Sequence, residues 1–433
     1  MNLLGPFAIT IYVIIGLSLL GLPIGLSMIS ASIVYLFVAK QDMGIAAEQL
    51  LQGLFNGYTL LAIPLFILAA DLMNAGSLSD RLLKFCLALV GRFRGGLGHV
   101  NVVANIILSG MSGSAVADAA GLGKLIINLM VRDGKYSPGY AGALTAAAST
   151  IGPIIPPSIP LVLYSLVSDT SVGYLFLGGV VPGLIMGLVL MIMNGILARR
   201  RNFPVERAVP LREFPAITLE ALPALMMPVV LLGGIYGGVM TPTEAAALAA
   251  LYAYVISVVV YRSITLRQTF DCLLSSAKSS GAVGMLIAGA LVFNYVVTRE
   301  DLPNSLNVML SGYHLSSYAF LLVVNVLLLI LGCLLDASTI LLVVVPILIP
   351  TAKALGIDMV HFGLVVVVNL MIGLLTPPYG LLLFIVSNFT KQPLRVIVRE
   401  AVPFILMLIL ALFIITYVPD TVLWLPRLFQ YKG

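Results

Sequence analysis

Long, almost unbroken apolar runs, not a short alternation of apolar and polar positions, set the pattern of this chain. A helix crossing a bilayer needs about 20 mostly apolar residues. Ten stretches meet that measure: roughly 5–20, 22–39, 58–75, 138–168, 173–198, 220–237, 244–261, 279–298, 361–388 and 401–418. Each is expected to be helical, because a segment in hydrocarbon must satisfy its own backbone N–H and C=O groups. Two further apolar stretches, near 97–131 and 318–354, are too long for one span and are interrupted in the middle by small polar residues. Both are read as re-entrant hairpins. The expected fold is an all-α polytopic membrane protein of about ten spans plus two hairpins.

Composition points the same way. Of 433 residues 9% are charged and 60% hydrophobic, and mean hydropathy is +1.11, values that a soluble surface of this size does not tolerate. Lipid is therefore the solvent. The net charge of +5 sits in the loops and is read as a topology signal, not as a nucleic-acid footprint. With the N-terminus outside, the inner loops carry seventeen Lys and Arg residues, from Arg81 through Arg207 to Arg399, against five outside. Promoting either hairpin to a full span would invert every later loop and destroy that bias. The first hairpin thus enters from the cytoplasm and the second from outside. The first residues lack a basic region and cleavage site, so no signal peptide is expected. Cys86, Cys272 and Cys333 have no paired spacing and suggest neither a disulfide framework nor a thiolate metal site.

The chain repeats itself. Ile151-Gly152-Pro153-Ile154-Ile155-Pro156-Pro157 matches Ile372-Gly373-Leu374-Leu375-Thr376-Pro377-Pro378, and the shift that lays Gly152 on Gly373 also places Val181-Pro182 on Val402-Pro403. The halves are read as 1–198 and 220–433, joined by a cytoplasmic linker at 199–219 that holds Arg199-Arg200-Arg201. Five spans per half is an odd number, so the second half must be inverted, an architecture common among secondary transporters. Residues 41–57 and 262–278, moderately amphipathic, are expected to lie along the interface as arm helices.

Chemistry is expected where the helices break. Proline removes a donor and clashes with the preceding turn, so Gly152–Ser158 and Gly373–Tyr379 should each split a span and leave carbonyls free to meet a cation. An ordinary proline kink is the alternative, but the breaks are doubled, glycine-flanked and in one register. The hairpin tips add hydroxyls and carboxylates: Ser109-Gly110-Met111-Ser112-Gly113-Ser114 followed by Asp118, and Asp336-Ala337-Ser338-Thr339. Such oxygens suit a hard cation, and a half-helix N-terminus would attract an anion. Close helix packing is the competing role for the small residues of the first tip; it explains Asp336 less well, since an intramembrane carboxylate is costly. Glu244, after Thr241-Pro242-Thr243, fits a helix cap. Asp71 fits either an ion group or a helix-end pair.

At these residues the chain resembles the large membrane (M-type) subunit of the tripartite ATP-independent periplasmic (TRAP) transporters. The resemblance runs over Ala62-Ile63-Pro64-Leu65-Phe66-Ile67-Leu68-Ala69, Ser112-Gly113-Ser114-Ala115-Val116-Ala117-Asp118, Gly152 to Ser158, Thr241-Pro242-Thr243-Glu244-Ala245-Ala246 and Thr376-Pro377-Pro378-Tyr379-Gly380, essentially the whole length. It implies a bacterial inner-membrane importer of a small organic acid, such as a dicarboxylate or sialic acid, driven by sodium through an elevator in which hairpins and broken helices slide against a scaffold. It also implies a small four-helix membrane subunit and a periplasmic substrate-binding protein as partners. Two sodium sites are implied: one from Ser112, Gly113, Ser114, Gly152 and Pro153, the other from Asp336, Ser338, Thr339, Gly373 and Thr376. Substrate would lie near Ser114, Pro157, Ser158 and Pro378.

Two other classes compete. Gly110-Met111-Ser112-Gly113 formally fits a serine-hydrolase motif, but a nucleophilic serine needs a base in reach, and His99, His314 and His361 all fall at expected membrane boundaries. Neither a His-Glu-x-x-His motif nor a phosphate-cradling Gly-Lys-Ser/Thr loop is present. A channel would share the broken helices but would need a continuous pore.

Overall fold

Among the described residues every element is a helix, apart from one isolated bridge between Arg94 and Val205. The computed structural model describes residues 5–76, 78–206, 209–210, 212–302 and 316–432; Arg207 and His314 lie outside them. Among the described residues six helices are long and apolar enough to cross a membrane: Tyr58–Ala75, Val172–Arg200, Phe214–Tyr236, Pro242–Val260, Leu266–Arg299 and Leu394–Tyr417. Shorter apolar helices include Pro6–Leu19 and Ile24–Val38. Each expected segment coincides with one of these or with a pair of half-helices.

The breaks fall where proline and glycine demand them. The stretch 138–168 divides into Pro138–Ser149 and Ile159–Ser168, and 361–388 into Met359–Gly373 and Leu381–Thr390. The hairpin stretches are likewise discontinuous. The first is Gly96–Ser112, Ala115–Ala120 and Leu122–Val131; the second is Ser317–Gly332, Ala337–Val343 and Val345–Ala354, with a 54° bend between its last two helices. In the register that pairs Gly152 with Gly373, Pro138–Ser149 falls on Met359–Gly373, Ile159–Ser168 on Leu381–Thr390 and Val172–Arg200 on Leu394–Tyr417. The correspondence of helices therefore extends well beyond the two matching sequence patches. Both Pro-Pro peptides, Pro156-Pro157 and Pro377-Pro378, are cis.

The arm segments differ from expectation. In the first half, Gly44–Asn56 is a separate helix, closed by Gly57, which adopts φ −83° and ψ 58°. In the second half no break occurs: Leu266–Arg299 runs 34 residues without interruption, so the arm and the span are one helix. The position that this register pairs with Gly57 is Lys278, a good helix former where glycine is not. Two helices have no counterpart in the sequence reading, Leu78–Val90 and Asp420–Leu428, both too polar to read as spans. The linker is shorter than expected, because helix persists to Arg200 and resumes at Phe214. Ion pairs hold its first half: Arg201 with Glu400 at 2.7 Å and Glu206 with Lys135 at 2.9 Å. Glu244 completes a capping box, its carboxylate accepting from the Thr241 N–H at 2.8 Å.

Packing separates the helices into two groups. Pro6–Leu19, Ile24–Val38, Gly44–Asn56, Ala62–Ala75, Pro242–Val255 and Leu266–Arg299 pack chiefly on one another, and Phe214–Tyr236 joins them through Pro242–Val255 while packing most on Leu78–Val90, which also lies against the first hairpin. The hairpins, the half-helices, Val172–Arg200, Leu394–Tyr417 and Asp420–Leu428 form the other group. Each half of the sequence supplies helices to both groups. Contact between them runs largely through the hairpins, with Ala62–Ala75 touching the first and Leu266–Arg299 the second.

Candidate functional site

At the first tip, Gly96–Ser112 stops because Gly113 turns left-handed, at φ +60°. A side chain there would also stand 2.6 Å from the Pro157 carbonyl oxygen, so the tip lies directly on the broken helix. Ser114 is extended and caps Ala115–Ala120, its hydroxyl accepting from the Ala117 N–H at 3.4 Å. The Ser112 hydroxyl donates to Asp118 Oδ1. Asp118 is only 4% exposed, and its other oxygen has no partner among the described residues. Gly152 faces that oxygen, leaving no room for a Cβ.

The break itself is internally braced. Ser158, fully buried, donates its hydroxyl to the Pro153 carbonyl and accepts from the Leu161 N–H at 3.2 Å, capping Ile159–Ser168. Prolines at 153, 156 and 157 supply no N–H, so the helical ladder cannot cross the segment. Pro157 and Ser158 thus pack inside this joint.

At the second tip the corresponding groups face outward. Asp336 is exposed and caps Ala337–Val343, accepting from the Ser338 N–H at 3.3 Å, the Thr339 N–H at 3.0 Å and the Thr339 hydroxyl at 2.8 Å. Gly373 lies against Gly332; a Cβ on Gly373 would be 2.7 Å from the Gly332 Cα. The Thr376 hydroxyl donates back to the Ile372 carbonyl at 2.8 Å. Pro378 is exposed, and the adjoining Tyr379 N–H donates to the Cys333 carbonyl at 3.3 Å, tying break to tip.

A cavity of about 380 Å³ brings the two tips together. Ser112, Gly113, Ser114 and Pro153 line it from one side, Asp336 and Ser338 from the other. Its size is that of a small-molecule site. Gly152, Pro157, Ser158, Thr339, Gly373, Thr376 and Pro378 are not among its lining residues; they stand behind it in the tips and breaks. The opposite wall comes from the other packing group, through Ile67, Ala70 and Asp71 on Ala62–Ala75 and Ser279 and Val283 on Leu266–Arg299. Of these, only Asp71 carried a sequence signal, the expense of a carboxylate inside a span. It accepts from the Ser276 hydroxyl at 2.8 Å.

The donor set is hydroxyl, carbonyl and carboxylate oxygen, which fits a hard monovalent cation better than a transition metal. No cluster of three His, Cys, Asp or Glu occurs among the described residues. A hydrolase reading gains nothing here. The Ser112 hydroxyl is engaged by Asp118, and no imidazole lines the cavity; the His361 Nε2 is 3.0 Å from the Ile415 carbonyl.

Comparison with known proteins bears on the whole chain. Residues 11–421 match the family model described as the DctM component of the tripartite ATP-independent periplasmic transporters. The sialic acid TRAP transporter large permease protein SiaM of Vibrio cholerae is 42% identical over 424 residues, covering 97% of this chain and 98% of the relative. The C4-dicarboxylate TRAP transporter large permease protein DctM of Pseudomonas aeruginosa is 44% identical, with 86% of each chain covered. Among solved structures, the Alcanivorax borkumensis YdaH transporter shares the fold at a TM-score of 0.65 and 15% identity, covering 85% of this chain and 86% of that one. These relatives are permease subunits and not enzymes, and with the apolar helices they make this a multi-pass protein of the bacterial inner membrane. The chain belongs to the DctM family, the large permease component of the TRAP transporters.

Proposed function

We propose that this chain is the permease of a sodium-coupled importer of small organic acids, working by an elevator motion of the hairpin-bearing group against the other. The observation that carries the reading is the cavity between the tips, where Ser112, Gly113, Ser114 and Pro153 meet Asp336 and Ser338 at the boundary of two packing groups. One sodium ion would be held by the first tip with Gly152 and Pro153, and a second by Asp336, Ser338 and Thr339 with Gly373 and Thr376. Bound cations supply the positive charge that the cavity lacks, since none of its lining residues is Lys, Arg or His. The organic anion would then rest between the tips near Ser114, with Pro157, Ser158 and Pro378 shaping the joints that hold the tips in place.

The distribution of helix contacts supports an elevator motion. Both tips and both breaks belong to one group, so moving that group carries the tips and the proposed cation ligands with its internal contacts intact and slides them past the wall that holds Asp71 and Ser279. A periplasmic binding protein would deliver the acid, and a small four-helix membrane subunit would bind the outer helices of the other group, consistent with the tripartite family. The test is uptake of labelled organic acids into proteoliposomes containing the chain with both partners. Saturable uptake that requires an inward sodium gradient and is lost in Asp336→Ala supports the reading. Uptake indifferent to sodium, or an unsaturable current, would overturn it.

A further inference from the structure

The wall opposite the tips carries an acid of its own. Asp71 projects into the cavity from Ala62–Ala75, and its Oδ2 accepts from the Ser276 hydroxyl at 2.8 Å. Its Oδ1 accepts no hydrogen bond from the described residues. Beside it stands Ser279, and across the cavity stand Ser112, Ser114, Ser338 and Asp336. The anionic end of a substrate belongs at the tips, where hydroxyls and the proposed cations gather. Whatever lies at its other end then meets Asp71.

An ionised carboxylate is an acceptor only. It offers lone pairs to a hydroxyl or amide N–H, and it repels a second carboxylate at its own end of the cavity, where no basic residue lines the wall and the proposed cations lie across at the tips. We infer that Asp71 is a specificity-determining residue that selects hydroxylated monocarboxylates, of the sugar-acid class, over dicarboxylates. The inference rests on the transport reading above and narrows its substrate. The cavity volume of about 380 Å³ agrees, since it has room for a polyhydroxylated acid whereas a four-carbon dicarboxylate would leave much of it unfilled. The hydrogen bond from Ser276 adds orientation: with Oδ2 held, Oδ1 is the atom left to accept from the ligand.

The experiment is direct binding to the full-length chain in nanodiscs, with sodium or with choline in its place, using gluconate and sialic acid as hydroxylated monocarboxylates and succinate as the dicarboxylate. Wild type is expected to bind the hydroxylated acids at least about tenfold tighter than succinate, and Asp71→Asn should erode that ratio by about tenfold, chiefly by admitting succinate. Asp71→Glu should keep the preference, which separates charge from folding. Equal binding of succinate and gluconate by wild type, or an unchanged ratio in Asp71→Asn, overturns the inference while sodium-dependent binding of any acid leaves the transport reading standing. If no acid binds with sodium present, both fall.

Discussion

Gly152 and Gly373 occupy the same place in the two halves, yet each is glycine for a different reason. Gly152 yields space to a side chain, the buried Asp118 carboxylate. Gly373 yields space to backbone, the Cα of Gly332 in the arm of the second hairpin. The repeat keeps the break and lets its surroundings differ. The first tip turns its acid inward, where Ser112 holds one oxygen, whereas the second spends its acid on a helix cap open to the cavity. Two breaks that look alike as strings of residues therefore need not pack alike.

The sharpest way to break this comparison is Gly373→Ala. Backbone at Gly332 cannot rotate away, so a destabilisation of about 3 kcal/mol is expected, at the upper end of overpacking effects, read as thermal unfolding in detergent. Gly152→Ala should cost less, about 1–3 kcal/mol, because the obstacle is a side chain. It should also be partly rescued by Asp118→Ala, and a double-mutant cycle showing about 1 kcal/mol or more of coupling would establish the contact; independent, additive effects would dissolve it. Asp336→Ala removes a cap worth about 1 kcal/mol as well as the charge. Asp336→Asn retains a capping acceptor, so it should restore most of the stability but not the sodium dependence of uptake. The smallest effect is expected at Ser114→Ala, about 0.5 kcal/mol, since its capping contact is long at 3.4 Å; a loss as large as that of Asp336→Ala would show the first tip to be more strained than its geometry implies.

Features that depend on hydrocarbon or on chain covalency were legible in the sequence. Apolar length locates the spans, and the missing N–H of proline locates the breaks at 152–158 and 373–379 whatever packs around them. The cap at Thr241 and Glu244 is equally local and was equally plain. Elements set by tertiary packing were not. Leu78–Val90 is amphipathic and gains its stability by packing on Phe214–Tyr236, far away in sequence, and on Gly96–Ser112. The same holds within the site. Tip and break residues announce themselves, but which of them face the cavity depends on how a tip sits on its break: Ser158 proves to be a brace, while Ser279 enters from a helix that no motif marks. Asp118, noted among the tip oxygens but not among the implied sodium ligands, turns out to be buried, a fact visible only once Gly152 lies beside it.

The uninterrupted helix Leu266–Arg299 has a mechanical consequence. At 1.5 Å per residue its 34 residues make a rod about 51 Å long, against a hydrocarbon slab of about 30 Å. Its counterpart in the first half is jointed at Gly57, so one half of the chain has an elbow where the other has a beam, and both segments of the elbow pack on the beam. A bilayer that thickens or thins is met by folding at the elbow on one side and only by tilting on the other. The second hairpin leans on the beam and the first on the segment beyond the elbow, so membrane thickness loads the two halves of the cavity unequally.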